Sequence, residues 1–170
     1  MIASLTLPTT LATRSAMVTL RRATAVDLDA LITLMSDDSI SAARGDRADA
    51  TDAPAYEAAL VAVTTDPSND ILVAVDDKDV VVATLQLTRI PGLARRGATR
   101  LLIEAVRVSS SQRSNGIGSA IMRWVTDTAA PAVGARLVQL TSDEARKDAH
   151  RFYERLGFVG SHRGFKFSVN

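Results

Sequence analysis

The sequence predicts an α/β fold: a mixed sheet of about six to seven strands, largely antiparallel, with one βαβ crossover and helices on both faces. Three observations carry this. Two β-branched runs, 71–75 and 80–88, are separated only by Asp76-Asp77-Lys78-Asp79, which predicts a hairpin. A buried-looking run at 100–108 is followed by a polar turn with two glycines, an apolar-periodic helix at 117–128 and another strand at 136–141, the order of a crossover. Apolar residues make up 46% and charged residues 23% of 170, enough for one domain with a sizeable core.

In chain order, residues 1–16 are weakly apolar and interrupted by Pro8 and Arg14. They have no basic stretch before the apolar one, so they read as a disordered extension rather than a signal peptide. Residues 17–170 read as a single domain, with Met17 as an alternative start. Residues 18–22 form a first strand. Leu28, Leu31, Ile32 and Met35 recur at helical spacing, with Thr24 or Asp27 as the N-cap. A long polar connection, 36–52, precedes a helix opened by Pro54 and running to about residue 63. The hairpin follows, and Val80-Val81-Val82, apolar on both faces, marks its second strand as central. Residues 90–99, with Pro91, Gly92 and Gly97, form an exposed loop. After the crossover, 143–156 reads as a helix ended by Gly157, and 158–169 as a final strand region.

Several classes of function are excluded or disfavoured. A formal net charge of +1 gives no reason to expect nucleic acid or an acidic membrane as partner. With no cysteine there can be no disulfide, thiolate zinc site or cysteine nucleophile, and the composition fits the cytoplasm. No apolar run reaches the roughly 18 residues of a membrane span. Two histidines and scattered acids form no metal-ligand cluster, so no metal is expected.

The segment with the most chemistry is Arg113-Ser114-Asn115-Gly116-Ile117-Gly118. A polar turn at a helix N-terminus aims several N–H groups in one direction and adds the positive end of the helix dipole. That combination suits a pyrophosphate. Gly116 lets backbone approach a phosphate, and Arg113 adds a charge-assisted donor. No lysine follows Gly118, so this is not a Walker loop, and no third glycine stands at dinucleotide-fold spacing. An ordinary strand–turn–helix connection remains the alternative reading of the turn taken alone.

A second segment changes that balance. Gln112-Arg113-Ser114-Asn115-Gly116-Ile117-Gly118 resembles the Q/R-x-x-G-x-G/A loop of the GCN5-related N-acetyltransferase (GNAT) superfamily. Ala149-His150-Arg151-Phe152-Tyr153-Glu154-Arg155-Leu156-Gly157-Phe158 resembles its A-x-x-F-Y-x-x-x-G-F signature, in the right order and about one αβ unit later. The likeness runs from Val18 to the C-terminus. Ile-Glu-x-Val-x-Val at 103–108 is also similar to the small-amine branch, such as aminoalkylphosphonate or glucosamine-phosphate acetyltransferases.

The resemblance implies acetyl transfer from acetyl-CoA, as co-substrate, to the primary amine of a small molecule by direct attack in a ternary complex. It places Val106, Arg107 and Val108 along the pantetheine arm. Arg113, Ser114, Asn115, Gly116, Ile117, Gly118 and Ser119 fall at the pyrophosphate, with Ser142, Arg146 and Phe152 as further cofactor contacts. Arg146 stands where many members have asparagine, and Ser114-Asn115 lowers the charge of the loop. A homodimer is a family expectation. A protein or peptide acetyltransferase and a non-catalytic acetyl-CoA-binding module are the alternatives.

Two residues are candidates for proton handling. Tyr153, a phenol with a normal pKa near 10, can protonate a departing thiolate, or it can be a packed core tyrosine. Glu104, the only acid in its strand, can accept the amine proton, or it can be paired with Arg89, Arg100 or Arg107. Strict alternation would put Glu104 with Leu102, Val106 and Val108 on one face and Arg107 on the other. His150 reads as a packing residue, and His162 carries no further signal. Substrate clues conflict: Arg89, Arg95, Arg96 and Arg100 could face an anionic group, whereas Asp37, Asp38, Asp46, Asp49 and Asp52 could attract a cationic amine.

Overall fold

A computed structural model describes residues 1–37, 40 and 50–169. Six strands form one sheet in the order β1 (Thr9–Ala12), β2 (Met17–Arg22), β3 (Asn69–Val75), β4 (Val81–Ile90), β5 (Thr99–Val108) and β6 (Ala135–Leu140). All neighbours are antiparallel except β5 and β6, which are parallel. Helices α1 (Leu28–Ser36) and α2 (Ala53–Thr65) precede β3. Helix α3 (Ile117–Trp124) makes the β5–β6 crossover, and α4 (Lys147–Arg155) follows β6. This is the mixed, mostly antiparallel fold with helices on both faces that the sequence predicts.

Alternation on β3 and β4 separates two cores. Leu72, Ala74, Ala83, Leu85 and Leu87 point to the α3 side, where they meet Ile117, Ile121, Met122 and Val125. Val73 and Val75 point to the other face, where Leu31 of α1 and Leu60 of α2 cover them. The central strands are therefore buried on both sides. The entry to α1 is fixed by Asp27, whose Oδ2 accepts from Thr24 N at 2.8 Å and from Thr24 Oγ1 at 3.1 Å. Its two carboxylate oxygens also take both Arg21 Nη groups at 2.8 Å.

The structure departs from the sequence reading in four places. Residues 1–16 are not a disordered extension. Ile2 and Leu5 are buried, β1 pairs with β2, and Arg22 Nη2 reaches the carbonyls of Ile2, Ala3 and Leu5 at 3.2–3.4 Å. The four-residue strand is too short to show alternation. The helix expected over 117–128 runs further, through a π-helical stretch Val125–Ala129 to Ala132; the wider turn just before Pro131 accommodates a residue with no N–H to donate back. The helix expected from residue 143 starts only at Lys147. Asp143 Oδ1 instead accepts from Ala145 N at 2.8 Å, a local turn that competes with helix. The final strand region, 158–169, forms no strand, and residues 159–169 are exposed.

Candidate active site

The sheet opens where β5 and β6 part. Their parallel pairing runs from Thr99↔Ala135 to Ile103↔Leu140 and stops there. Residues 104–108 continue β5 with β4 on one side and no β6 partner on the other. This leaves a wedge lined on one side by strand main chain, a row of groups able to hydrogen-bond an extended ligand.

A bulge sits at the point of opening. Thr84 faces Arg107 and Gln86 faces Glu104, so Leu85 alone opposes Ala105 and Val106. Ala105 adopts φ 51°, in the left-handed region. The extra residue resets the alternation. Val106 and Val108 pack with Ile103 against the α3-side core. Arg107 joins Glu104 on the face of Thr84 and Gln86. The strict alternation that puts Arg107 opposite Glu104 is thereby corrected.

The glycine turn lies at the end of β5. Ser114 has φ 69° and Gly116 φ 89°, with Asn115 between them on the ordinary side. Alternating signs of this kind turn consecutive N–H groups into a common concavity that suits an anion. Gly116 is the N-cap of α3 and accepts from Ala120 N at 3.0 Å. A Cβ on Gly116 would stand 3.0 Å from both Arg14 N and Arg14 Cγ. A Cβ on Gly118 would stand 3.3 Å from Phe152 Cζ and 3.7 Å from Val108 Cγ2. Gly118 therefore lets the end of β5, the start of α3 and the aromatic face of α4 meet. Ile117 is core, so only its backbone faces the turn.

Helix α4 brings Tyr153 to this junction. Phe152 and Phe158 meet its ring edge-on, at centroid distances of 5.1 and 5.8 Å. The helix ends in a Schellman turn: Phe158 N donates to Tyr153 O at 3.1 Å and Gly157 N to Glu154 O at 3.0 Å, with Gly157 at φ 87°. Burial raises the Tyr153 pKa above its ordinary value, and Arg107 and Arg146 pull it partly back. Tyr153 is thus a protonated phenol at neutral pH, within the field of two guanidinium groups.

The other expected site residues are placed as follows. Glu104 is exposed and makes no ion pair or hydrogen bond among the described residues, and its three expected arginine partners bond to other groups. Arg89 Nε donates to Val133 O at 3.0 Å and Arg100 Nη1 to Gln139 Oε1 at 3.3 Å. Arg107 Nη1 donates to Val106 O at 2.9 Å. Arg113 does not extend freely from the turn: its Nη2 donates to Asp37 O at 2.8 Å and its Nε to Val108 O at 3.3 Å. His150 Nε2 donates to Asp143 O at 2.8 Å, a packing role. Ser142 Oγ is enclosed without a hydrogen-bond partner, a group that a ligand or water would satisfy. Among the described residues no cluster of His, Asp and Glu could hold a metal ion.

Three features were missed by sequence reasoning. Arg14 N donates to Asn115 O at 3.0 Å, so the β1–β2 hairpin tip rests on the glycine turn. Asp37 Oδ2 accepts from Ser110 N at 2.7 Å, tying the end of α1 to the same region. Neither carries a sequence signal, because both depend on pairings across 70 residues or more. The third concerns the conflicting charge clues. The arginine-rich loop joins β4 to β5 and the glycine turn follows β5, so they lie at opposite ends of that strand. The acidic connection leaves α1 at the glycine-turn end. Of its acids, Asp38, Asp46 and Asp49 lie outside the described residues.

Comparisons with known proteins agree with this fold. The acetyltransferase (GNAT) family matches residues 31–158, and the chain belongs to that family. A transcriptional regulator from Bacillus halodurans C-125 is 38% identical, with TM-score 0.83, over 89% of this chain and 99% of that one. A protein assigned as an acetyltransferase from Agrobacterium tumefaciens str. C58 is 29% identical, with TM-score 0.71, over 88% and 99%. A 66-residue stretch is 39% identical to the aminoalkylphosphonate N-acetyltransferase of Salmonella typhimurium. That match covers 39% of this chain and 41% of the relative, so the chain spans about two fifths of the length of the curated protein it matches.

Proposed function

We propose that the protein transfers the acetyl group of acetyl-CoA to the primary amine of a small molecule, by direct attack with both substrates bound. The observation that carries this reading is the juxtaposition at one end of β5: an unpaired strand edge at 104–108, a glycine turn with alternating φ, and Tyr153 held beside them. The residues fit the co-substrate. The open edge suits the amide-bearing pantetheine arm, the turn suits a pyrophosphate, and Ser142 Oγ is a spare polar group next to α4. Acetyl-CoA supplies the acyl group as an activated thioester.

The chain's own residues have three tasks. Main chain of 106–108 aligns the thioester, with the N–H groups beside the bulge as donors to its carbonyl. Glu104, unpaired and on the face away from α3, accepts the amine proton directly or through water. Tyr153 keeps its phenolic proton at neutral pH and donates it as the C–S bond breaks. Arg107 and Arg146 stabilise negative charge near that oxygen.

Asp37, at the glycine-turn end, favours a neutral or cationic amine. The match to an aminoalkylphosphonate acetyltransferase favours an amine that also carries an anionic group. Thiol release from acetyl-CoA over aminoalkylphosphonates, amino sugars, polyamines and a lysine peptide separates these. Turnover on the peptide alone would replace the small-molecule reading. Acetyl-CoA binding without turnover on any amine would replace the enzyme by a binding module. Tyr153→Phe is expected to lower kcat about a hundredfold or more with acetyl-CoA affinity unchanged.

A further inference from the structure

The amino-terminal hairpin brings a second guanidinium to the glycine turn. The four residues between β1 and β2 close on themselves: Thr13 N donates to Ala16 O at 2.9 Å, and Thr13 Oγ1 accepts from Ala16 N at 3.1 Å. Buried Ile2, Leu5 and Leu11 hold the segment that leads to this tip against the core. At the tip, Arg14 N donates to Asn115 O at 3.0 Å. The stem of Arg14 then lies on Gly116, where the place of a Cβ is 3.0 Å from Arg14 Cγ and 3.5 Å from Arg14 Cβ.

The carbonyl of Asn115 and the N–H of Gly116 belong to one trans peptide and point opposite ways. The hairpin main chain therefore backs the turn and leaves its N–H side open. The Arg14 side chain starts from the rim of that concavity and is exposed. Among the described residues its guanidinium makes no hydrogen bond or ion pair.

The turn has use for such a group. A CoA thioester brings a pyrophosphate and a 3′-phosphate, and so several negative charges. Ser114 and Asn115 are neutral, and Asn115 Nδ2 already donates to Gln112 Oε1 at 3.0 Å. Arg113 donates to Asp37 O at 2.8 Å and to Val108 O at 3.3 Å. Of the two arginines at the turn, Arg113 is engaged and Arg14 is not. A full charge beside backbone N–H groups roughly doubles the strength of the bond a phosphate oxygen can find there. Arg14 lies outside residues 31–158, where the family match falls, so the family assignment says nothing of it.

We propose that Arg14 binds a phosphate at the nucleotide end of the co-substrate. The amino-terminal hairpin thereby becomes part of the binding site and selects CoA thioesters over acyl donors that lack the nucleotide. This rests on the reading of the glycine turn as the seat of the CoA pyrophosphate.

Calorimetric titration of the full chain with acetyl-CoA tests it, beside Arg14→Gln and Arg14→Lys. Both variants keep the Arg14 N–H on Asn115 and the stem on Gly116, so melting without ligand is expected to be unchanged. Arg14→Gln should weaken acetyl-CoA about tenfold, and Arg14→Lys should restore most of that loss. Repeating the titrations with acetyl-3′-dephospho-CoA identifies the phosphate. A loss that vanishes with this ligand places the guanidinium on the 3′-phosphate, and a loss that persists places it on the pyrophosphate. Unchanged affinity in Arg14→Gln overturns the inference alone. So does an equal loss in both variants, or a lower melting temperature of free Arg14→Gln, which would make the side chain a structural brace. No binding of acetyl-CoA to the unaltered chain would overturn the proposed function as well. A tenfold loss without turnover on any amine would remove the transferase and leave Arg14 in its role.

Discussion

Gly116 and Gly118 are required for different reasons, and substitution separates them. At Gly116 the backbone is left-handed at φ 89°, and Arg14 crowds the space where a side chain would stand. Gly116→Ala combines roughly 1 kcal/mol of conformational strain with that contact, so it should lower both stability and cofactor affinity. Gly118 has no such φ. There an alanine meets the Phe152 ring, so Gly118→Ala should displace α4 and Tyr153 and lower kcat more than Tm. Thermal melts and kinetics on the two variants check this. Two carboxylates give opposite pH signatures. The paired Arg21 guanidinium holds Asp27 below the ordinary carboxylate range. Its contribution is present above the unfolded value of about 4 and is lost as pH falls through the lower folded value. Asp70 is pushed up because burial outweighs its Arg22 partner at 2.8 Å. Its penalty is absent at low pH and grows as pH rises through the raised value. Asp27→Asn should therefore cost about 2 kcal/mol at pH 7 and flatten the acid limb of the stability curve. Asp70→Asn should cost less at pH 7 than at pH 3. Denaturant unfolding at a series of pH values reads both.

At the scale of elements, β5 and the amino-terminal hairpin organise the site. The bulge at Ala105 sends Glu104 and Arg107 to one face and Val106 and Val108 to the other. A non-glycine residue pays conformational strain at φ 51°, and Ala105→Gly should relieve about 1 kcal/mol of it, visible as a higher Tm. Ala105→Val should lower Tm, because a β-branched residue tolerates that region poorly. The hairpin buries Ile2, Leu5 and Leu11 and sets Arg14 N on Asn115 O. Removing residues 2–16 exposes three large apolar side chains' worth of surface. It should destabilise the protein by on the order of 5 kcal/mol and weaken acetyl-CoA binding through the glycine turn. Undisturbed melting of the shortened chain would show the hairpin to be dispensable.

For the molecule as a whole, the two faces of the sheet divide the labour. The α3 side holds the larger core and anchors the glycine turn. The α1–α2 side holds the smaller core and carries Glu104 and Arg107. Asp37 bridges them by bonding Ser110 N and the Arg113 guanidinium. Binding at the glycine turn is thereby linked to the end of α1. Arg113 can turn to a phosphate only by leaving Asp37, so Asp37→Ala is expected to alter acetyl-CoA affinity without touching Glu104 or Tyr153, the groups proposed to handle protons. Calorimetric titration of that variant measures the link.

Local pattern determined much of this. Apolar periodicity placed β2–β6 and α1–α3 to within a few residues, because each element buries one face or both. The two glycine-containing motifs placed the turn and Tyr153, because left-handed and close-packed positions demand glycine in the sequence itself. Tertiary contact decided the rest. The unpaired edge at 104–108 exists because β6 pairs only as far as Ile103. The regrouping of Glu104 with Arg107 follows from one extra residue at Ala105, which no hydropathy pattern encodes. The order of residues 1–16 comes from Arg22 and the β2 edge rather than from their own composition. The carboxy-terminal run kept its strand-like sequence but forms no strand, because period alone makes no strand without a paired edge.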